Sequence, residues 1–356
     1  MRSLDEELTD LADHYRWFAG VEAAPVSPRY AELAAAVARD DDVLAFLGTL
    51  PTPKRQANLL LGALQYLHGG PPRDGAELHE RVLGDADRLR ATMLARATQT
   101  NEAARCAALL PLLAGLPGPL ALIEVGASAG LCLYPDRYGY EYHRDDDEGG
   151  VRVGSASSPV QLSCEVTGRG PVPAAVPRVV RRAGIDLNPL DPADPDDVAW
   201  LQALVWPGMD ARRDRLTAAA AIAAREPASI VRGDLLAELP GLVAAMPADC
   251  TVVVVHTAVL AYLPAAAKEA FVELVGGLPV RWVSQEGVGV LPAVAARLPE
   301  APAAGERRFL LALDGEPLAY TDPHGGRIDW LPAAAALARA GGRQAPSRGS
   351  SRACEG

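Results

Sequence analysis

The stretch Leu122–Leu131 holds residue types whose spacing could do chemistry. It predicts an apolar strand that ends in Glu124, then the loop Gly126-Ala127-Ser128-Ala129-Gly130 and the start of a helix. Small residues let the backbone approach a ligand closely, and the amino terminus of a helix offers unpaired N–H groups. The pattern therefore favours a ligand-binding turn between a strand and a helix.

Three interpretations of this loop compete. A dinucleotide site is disfavoured, because the third glycine of G-x-G-x-x-G comes one residue early and Ser128 stands in the middle position. The loop also satisfies G-x-S-x-G, the nucleophile elbow of serine hydrolases, with partners downstream at Asp186 or Asp234 and at His256 or His324. A hydrolase needs several strands before its elbow, whereas a helical region precedes this one, so the hydrolase ranks lower. The third interpretation is that the small residues serve packing alone.

Polar residues close five short apolar runs that predict strands, namely Glu124, Asp186, Asp234, His256 and Glu286. The runs alternate with helix-like segments, which indicates right-handed βαβ units around a parallel sheet. In such sheets ligands bind beyond the carboxyl ends of the strands, at the topological switch point. We therefore expect these five side chains to line one crevice.

Residues 1–116 predict an all-helical amino-terminal region. Apolar residues recur at spacings of three and four behind a Ser3-x-x-Glu6 capping box, and further start signals follow. Four helical stretches are predicted, over Leu4–Phe18, from Ser27-Pro28, from Thr52-Pro53 and from about Asp85 to Leu116.

Residues 117–335 predict the α/β domain. Within it, Tyr140–Pro177 has little helical periodicity and is expected to be an insertion, a small β excursion over the edge of the sheet. Arg308–Trp330 contains an Asp314-Gly315 turn and a second turn at Pro323–Gly326, which predict an antiparallel hairpin. The tail, residues 341–356, is expected to be disordered.

Composition narrows the function classes. With 34 basic and 45 acidic residues the net charge is −11, which argues against nucleic acid or an anionic membrane as partner. The five cysteines include no C-x-x-C pair, so no metal site or disulfide framework is predicted. The amino terminus lacks the apolar core of a signal peptide, and the longest uncharged stretch, Cys106–Ile123, is too interrupted to span a bilayer. We expect a cytoplasmic protein that acts on a small molecule.

The form acidic-x-G-x-S-x-G resembles motif I of class I S-adenosylmethionine-dependent methyltransferases, which usually have glycine where Ser128 stands. The resemblance implies a doubly wound, mostly parallel, Rossmann-like α/β sheet with S-adenosylmethionine as its cofactor. It also implies that the cofactor is held by Glu124, Gly126, Ser128 and Gly130.

Two further segments resemble methyltransferase motifs. In Gly184–Pro189 the resemblance implies that Asp186 accepts hydrogen bonds from both ribose hydroxyls, since two carboxylate oxygens match a vicinal diol. A cap at Asp186 is the structural alternative, and the run Asp145–Asp147 competes for the ribose position. In the third-strand segment, Asp234 is expected to bind the adenine amino group and Leu235 to supply a backbone N–H, while a helix cap explains Asp234 equally well.

The segment Val255–Leu263 resembles the fourth-strand motif of small-molecule methyltransferases, which faces the transferred methyl. His256, with an ordinary pKa of about 6.5, is a candidate general base, and Tyr262 is a candidate assistant. The alternative is a structural histidine in the core. Glu286 is expected to orient a cationic substrate or to be exposed to solvent.

Nearly the whole chain, from about residue 10 to 330, resembles an uncharacterised bacterial family, domain of unknown function 2332. The resemblance rests on Arg55–Leu60, Gln99–Glu102 with Arg105, EVGASAGL, the run from Arg181 to Pro207 and VRGDLL. It implies one composite unit in which the polar patch before the first strand belongs to the site.

That patch contributes two expected substrate-binding residues. Asn101 and Arg105 stand four residues apart and would share one helical face, with Arg105 holding a carboxylate of cofactor or substrate. A cap at Thr100 and a surface ion pair of Glu102 are the alternative.

The sequence as a whole favours an S-adenosylmethionine-dependent methyltransferase that acts on a small molecule. Two alternatives stay open. One is a non-catalytic descendant that binds a metabolite or a partner protein in the same crevice, and the other is a serine hydrolase with Ser128 as its nucleophile.

Overall fold

The computed structural model describes residues 4–145, 149–303 and 305–337. Contacts divide the chain into two compact units. The helical unit comprises residues up to 103, 128–131 and 188–227, and the α/β unit comprises 104–127, 132–187 and the chain from 228 onward. The division differs from the predicted boundary at 116, since 104–116 belong to the α/β unit and 188–227 to the helical unit. Ser3 and the predicted tail lie outside the described residues.

The amino-terminal region is helical, as predicted. Ser27 caps the second helix with its hydroxyl and Pro28 takes the first helical position, so that start signal is confirmed. At Thr52–Lys54, by contrast, the chain forms only a 3₁₀ turn. The described helices are α1 (Leu4–Trp17), α2 (Pro28–Val37), α3 (Asp41–Gly48), α4 (Ala57–His68), α5 (Gly75–Gly84), α6 (Ala86–Ala95), α7 (Arg105–Ala114), α8 (Pro195–Ala203), α9 (Asp210–Arg225), α10 (Leu235–Ala244), α11 (Ala265–Gly277) and α12 (Pro292–Ala295).

Residues 96–104 are not helical, so the prediction of one helix from Asp85 to Leu116 is wrong. Lys54 Nζ donates to the carbonyl of Arg96 at 2.6 Å, and Trp200 Nε1 donates to the carbonyl of Ala97 at 3.1 Å. These side chains satisfy carbonyls that a continuing helix would use, and both donors are distant in sequence. The local periodicity therefore gave a wrong prediction for this segment. Asn101 lies outside α7 and does not share a helical face with Arg105.

The described strands all belong to the α/β unit and form one sheet. They are β1 (Leu120–Val125), β2 (Gly139–Arg144), β3 (Val151–Gly154), β4 (Gln161–Thr167), β5 (Val179–Asp186), β6 (Ser229–Arg232), β7 (Thr251–Thr257), β8 (Arg281–Gly287), β9 (Phe309–Leu313), β10 (Glu316–Thr321) and β11 (Arg327–Trp330). Their order across the sheet is β3-β2-β4-β11-β10-β9-β8-β7-β1-β5-β6.

Five parallel strands make up the part of the sheet that matters for a site. The order β6-β5-β1-β7-β8 is the 3-2-1-4-5 order of a doubly wound sheet, with its switch point between β1 and β7. β1 is buried along its whole length, as expected for a central strand covered on both faces. The prediction of a mixed α/β protein with a mostly parallel sheet is confirmed.

The predicted insertion and the hairpin meet in the same sheet. β2, β3 and β4 extend the sheet beyond β11, and β4 runs parallel to β11 with Glu165 opposite Arg327. The hairpin of β9 and β10 is confirmed as antiparallel. Its turn residues Asp314 and Gly315 have φ of 52° and 77°, the left-handed pair that a two-residue hairpin turn requires.

The two faces of the sheet differ in the side chains that cover them. Ile123 points into an apolar core with Leu239 of α10 and Phe271 of α11. Because side chains alternate along a strand, Glu124 points to the opposite face. α7 packs against β4 and β9, and its first residue, Arg105, bonds to Thr257 on β7. Within the described residues, no helix combines the length and apolarity needed to cross a membrane.

Candidate functional site

The loop after β1 adopts the tight conformation that its small residues allow. Gly126, Ser128 and Gly130 have φ of 70°, 51° and 69°. A Cβ on Gly126 would lie 2.3 Å from Cγ2 of Val259, so glycine is required there. Ser128 holds a positive φ without being glycine, which marks local strain of the kind that collects at functional turns.

No α-helix follows this loop, so the predicted helix amino terminus is wrong. After Gly130 the described chain forms a 3₁₀ turn at Leu131–Leu133 and then enters β2. The N–H groups of Gly126 and Ala127 both donate to the carbonyl of Ile185, at 2.8 and 3.1 Å. These groups tie β1 to β5, so they are not offered to an anion.

Glu124, at the end of β1, is buried with an unsatisfied oxygen. Its Oε2 has no hydrogen-bond partner within the described residues. Burial raises the pKa of Glu124 well above its usual range; the neighbouring Cys132 and Asp186 raise the pKa further, while Arg105 opposes them. A buried carboxyl with an unused acceptor is costly, and functional sites are where such groups collect.

Arg105 is buried beside this carboxyl with only 5% of its surface exposed. Its Nε donates to the carbonyl of Pro323 at 3.0 Å, and its Nη1 donates to the carbonyl and hydroxyl of Thr257, both at 3.1 Å. All three acceptors are neutral. Within the described residues no carboxylate forms an ion pair with Arg105, although its charge acts on the neighbouring Glu124.

Gln285 belongs to the same face of the sheet, and sequence reasoning missed it. The residue is fully buried, and Thr257 lies opposite it on β7. Its Nε2 donates to Thr321 Oγ1 at 2.9 Å, while its Oε1 has no partner in the described chain. The one available signal was a run of polar residues inside a buried strand. We call Arg105, Glu124, Thr257 and Gln285 the strand-end cluster.

His256 and Glu286 form a separate pair on the other face. His256 is fully buried; its Nδ1 lies 2.8 Å from Glu286 Oε1, and its Nε2 accepts from Trp282 Nε1 at 2.9 Å. Both ring nitrogens are therefore used inside the core, an arrangement that argues against the expected general base. Glu286 is neither exposed nor placed to orient a substrate.

The remaining carboxylates lie at the ends of β5 and β6. Asp186 is half-buried and, because β5 adjoins β1, lies beside Glu124, where its charge adds to the rise in pKa that burial mainly causes. Asp145 directly follows β2, several strands away from β1, and Asp146 and Asp147 lie outside the described residues. Of the two candidates for the predicted ribose contact, Asp186 is the one on the strand next to β1.

Asp234, Leu235 and Tyr262 have different surroundings. Asp234 is exposed and caps α10, accepting from Leu236 N at 2.9 Å and from Ala237 N at 3.4 Å. Leu235 is buried in the apolar core. Tyr262 is 80% exposed in a 3₁₀ turn after β7. The structure does not bring these three residues into the strand-end cluster.

The helical unit contains the other predicted residues. Asn101 is buried, and its Oδ1 accepts from Leu131 N at 3.2 Å, just after Gly130. The carbonyl of Ser128 accepts from Leu190 N at 3.2 Å. Glu102 is buried between Arg212 and Arg215, so the expected surface ion pair is instead an internal one.

The structure does not provide the features that the serine-hydrolase interpretation requires. A nucleophile elbow joins a strand to a helix, whereas the chain after Ser128 forms only a 3₁₀ turn. Ser128 is buried, and both nitrogens of His256 are bound to other side chains.

Two other features contain no residue of the strand-end cluster. A cavity of about 640 Å³ is lined by parts of 288–306, and none of the predicted site residues lines it. Asp40, Asp42 and His79 place ligand atoms within 4.8 Å of one another, a group that the sequence did not indicate. His79 Nδ1 lies 2.8 Å from Asp40 Oδ2, so these two members of the group already contact each other.

The fold places the chain among mixed α/β proteins with a mostly parallel central sheet. A family model described as "Uncharacterized protein conserved in bacteria (DUF2332)" matches residues 12–330, and the chain belongs to that family. The match includes residues of both units. No curated protein and no solved structure matches the chain. The expected family is therefore confirmed, and the methyltransferase resemblance stays a prediction.

Proposed function

We propose that the protein binds S-adenosylmethionine at the carboxyl ends of β1 and β5 and methylates a small molecule. The observation that carries the proposal is Glu124, a buried carboxyl with an unpartnered oxygen at the end of the central strand. It lies at the switch point of a 3-2-1-4-5 sheet, where ligands of such sheets bind.

The residues present fit this cofactor in two respects. Glu124 Oε2 is an unused acceptor for a cationic group, and half-buried Asp186 on the adjoining strand has a carboxylate, the group whose geometry matches a ribose diol. When bound, the sulfonium would supply an electrophilic methyl group. The protein's part is to hold it in line with the acceptor, and because His256 is engaged in the core, we assign no general base.

The proposal rests on carboxylates rather than on a helix amino terminus. The described chain has no helix after the loop, and the N–H groups of Gly126 and Ala127 bind Ile185. Phosphate-type recognition is thus disfavoured. S-Adenosylmethionine has no phosphate, so its binding does not require a helix amino terminus, which the described loop lacks.

Calorimetry with S-adenosylmethionine and S-adenosylhomocysteine tests the proposal. We expect the full chain to bind both, and Asp186→Ala to weaken binding about tenfold through loss of a hydrogen-bonded carboxylate. Asp249→Ala is the matched control, because Asp249 is exposed in the loop before β7. Failure of the wild type to bind either compound would refute the proposal. Binding without methyl transfer to any small-molecule acceptor would favour the non-catalytic alternative.

A further inference from the structure

We infer that the chain has a second ligand site, a cavity beside the start of β8 that binds a small apolar carboxylate through Arg297. No residue of the strand-end cluster lines this cavity, so the site goes beyond the proposed function and does not depend on it. Trp282, which lines the cavity, belongs to the same apolar core as Ile123. Because side chains alternate along β8, Gln285 of the strand-end cluster points to the opposite face of the sheet.

The size and walls of the cavity suit a small apolar body. Its volume is about 320 Å³, at the lower end of the range for small-molecule sites. The walls come from the end of α11, the start of β8, the chain around α12 and the turn between β9 and β10. Val275, Trp282 and Val294 line the cavity and are buried core residues. A ligand that covers these side chains removes apolar surface from water, which favours binding.

The indole ring of Trp282 forms a fixed part of the wall. Its Nε1 donates to His256 Nε2 at 2.9 Å, and its backbone N–H donates to Asp314 Oδ1 at 2.8 Å. The ring also packs edge-on against Phe271, with 6.2 Å between ring centroids. Because these contacts already hold the ring, little conformational freedom is lost when a ligand packs against it.

Arg297 places a cation beside this ring. Its Nη1 donates to the carbonyl of Gly315 at 3.1 Å. A Cβ on Gly315 would lie 3.4 Å from Arg297 Nη1 and 3.6 Å from Trp282 Cζ3, so the guanidinium and the indole ring meet at the same part of the turn. A ligand with its apolar body on the ring therefore brings a carboxylate within reach of the guanidinium, where a charge-assisted hydrogen bond forms.

The charges at the cavity favour an anionic ligand over a cationic one. Asp314 is already used, since Oδ1 accepts from Trp282 N and Oδ2 accepts from Arg281 Nε at 2.7 Å. The nearest carboxylate to Arg297 is that of Glu316, with 3.9 Å between Nη1 and Oε2, and both side chains of this pair are more than half exposed. An exposed pair at that distance contributes little, so a ligand carboxylate replaces Glu316 at small cost.

Calorimetry on the full chain with three probes tests the site. The probes are 4-phenylbutanoate, its uncharged amide 4-phenylbutanamide, and acetate, which keeps the charge and lacks the apolar body. We expect 4-phenylbutanoate to bind, the amide to bind about tenfold more weakly because the charged hydrogen bond is lost, and acetate not to bind.

Two variants with matched controls locate the binding. Arg297→Gln should weaken 4-phenylbutanoate binding about tenfold and leave the amide unchanged, while Arg181→Gln, at an exposed position on β5, should change neither. Gly276 lines the cavity with open space around its Cβ position, so Gly276→Leu should fill the cavity and abolish binding of both compounds. The neighbouring Gly277 has equal space and does not line the cavity, so Gly277→Leu should bind both as wild type does.

Circular dichroism verifies the folding of every variant. If Gly276→Leu does not fold, Ala293→Leu fills the cavity from the exposed α12 side.

Equal affinity for the carboxylate and the amide, or an unchanged affinity in Arg297→Gln, would overturn the assignment of Arg297 and with it the inferred site. Binding that survives in the filled variants would place the ligand elsewhere and overturn it as well, as would failure of the wild type to bind 4-phenylbutanoate. None of these results bears on S-adenosylmethionine binding, which is measured separately.

Discussion

Two buried glutamates on opposite faces of the same sheet show how differently the fold treats like residues. Glu286 Oε1 lies 2.8 Å from His256 Nδ1 and accepts from the N–H groups of Val259 and Leu260 at 2.9 and 3.0 Å. Glu124 is also buried, and in both glutamates Oε2 accepts nothing from the described residues. The two carboxyls therefore differ in the His256 ring and the two backbone N–H groups that contact Glu286 Oε1, and not in the unpartnered Oε2.

The pKa values of the two groups follow the same division. Burial alone would raise the pKa of Glu286, but the bond and charge of His256 and the two backbone N–H groups outweigh it and lower the pKa. For Glu124 no such set of donors opposes burial, and the pKa is raised. Folding thus favours the ionised form at Glu286 and the protonated form at Glu124.

The largest effect in this comparison is expected from Glu286→Gln. The free energy of unfolding of this variant should be about 2 kcal/mol lower than that of wild type at neutral pH, because charged hydrogen bonds to His256 and two N–H groups are lost or weakened. A lowered pKa contributes stability above the pKa of the unfolded chain, and this contribution disappears as the pH falls through the folded value. Urea unfolding at several pH values measures the loss; a variant as stable as wild type at neutral pH would contradict it.

Glu124→Gln is expected to change stability in the opposite direction. The free energy of unfolding of this variant should be about 1 kcal/mol higher than that of wild type at pH 8, since the substitution removes a buried carboxyl that ionises more readily in the unfolded chain. The stability linked to a raised pKa is present below the unfolded value and lost as the pH rises, so the gain should vanish near pH 4. The same urea series compares wild type, Glu124→Gln and the surface control Glu141→Gln. Destabilisation at pH 8 would show that folding needs the Glu124 carboxylate.

Asp234 provides the smallest contrast, a carboxylate that folding uses only as a cap. Asp234→Ala should lower the free energy of unfolding by about 1 kcal/mol, because it removes the acceptor for the N–H groups in the first turn of α10. Asp234→Ser retains a capping side chain and should keep most of that stability. Thermal unfolding compares the two variants. Because Asp234 lies outside the proposed site, Asp234→Ser should bind S-adenosylhomocysteine as tightly as wild type, and weaker binding would contradict this placement.

Strand positions in the parallel part of the sheet could be predicted from the sequence. β6 coincides with the predicted run Ser229–Arg232. β1, β5 and β7 continue one or two residues beyond the predicted ends Ile123, Ile185 and Val255. β8 begins one residue after the predicted start at Val280 and continues four residues beyond the predicted end at Val283. Continuous apolar runs closed by polar residues are a local signal, because a strand buried on both faces must be apolar along its length. The Asp314-Gly315 turn was equally local, since few residue pairs adopt two left-handed conformations in succession.

The candidate site was less predictable. Glu124 and Arg105 were predicted as site residues from the sequence. Arg105 was, however, expected to share a helical face with Asn101, and residues 96–104 do not form that helix. Gln285 carried no motif, and His256 matched one yet lies in the core. A motif reports residue types, whereas accessibility depends on which distant side chains occupy the remaining hydrogen-bond positions.

The sequence by itself determined the family, because a family model matches residues 12–330. It also determined the helical and α/β character of the chain and the strand ends where carboxylates fall, because these follow from local periodicity. Only the tertiary structure decided which carboxylate has His256 and two backbone N–H groups around one of its oxygens. The donors to Glu286 come from β7 and the loop after it, while Arg105 is bonded to Thr257 and Pro323 rather than to Glu124. Hydrogen bonding between residues distant in sequence depends on strand order and register, which no local pattern encodes.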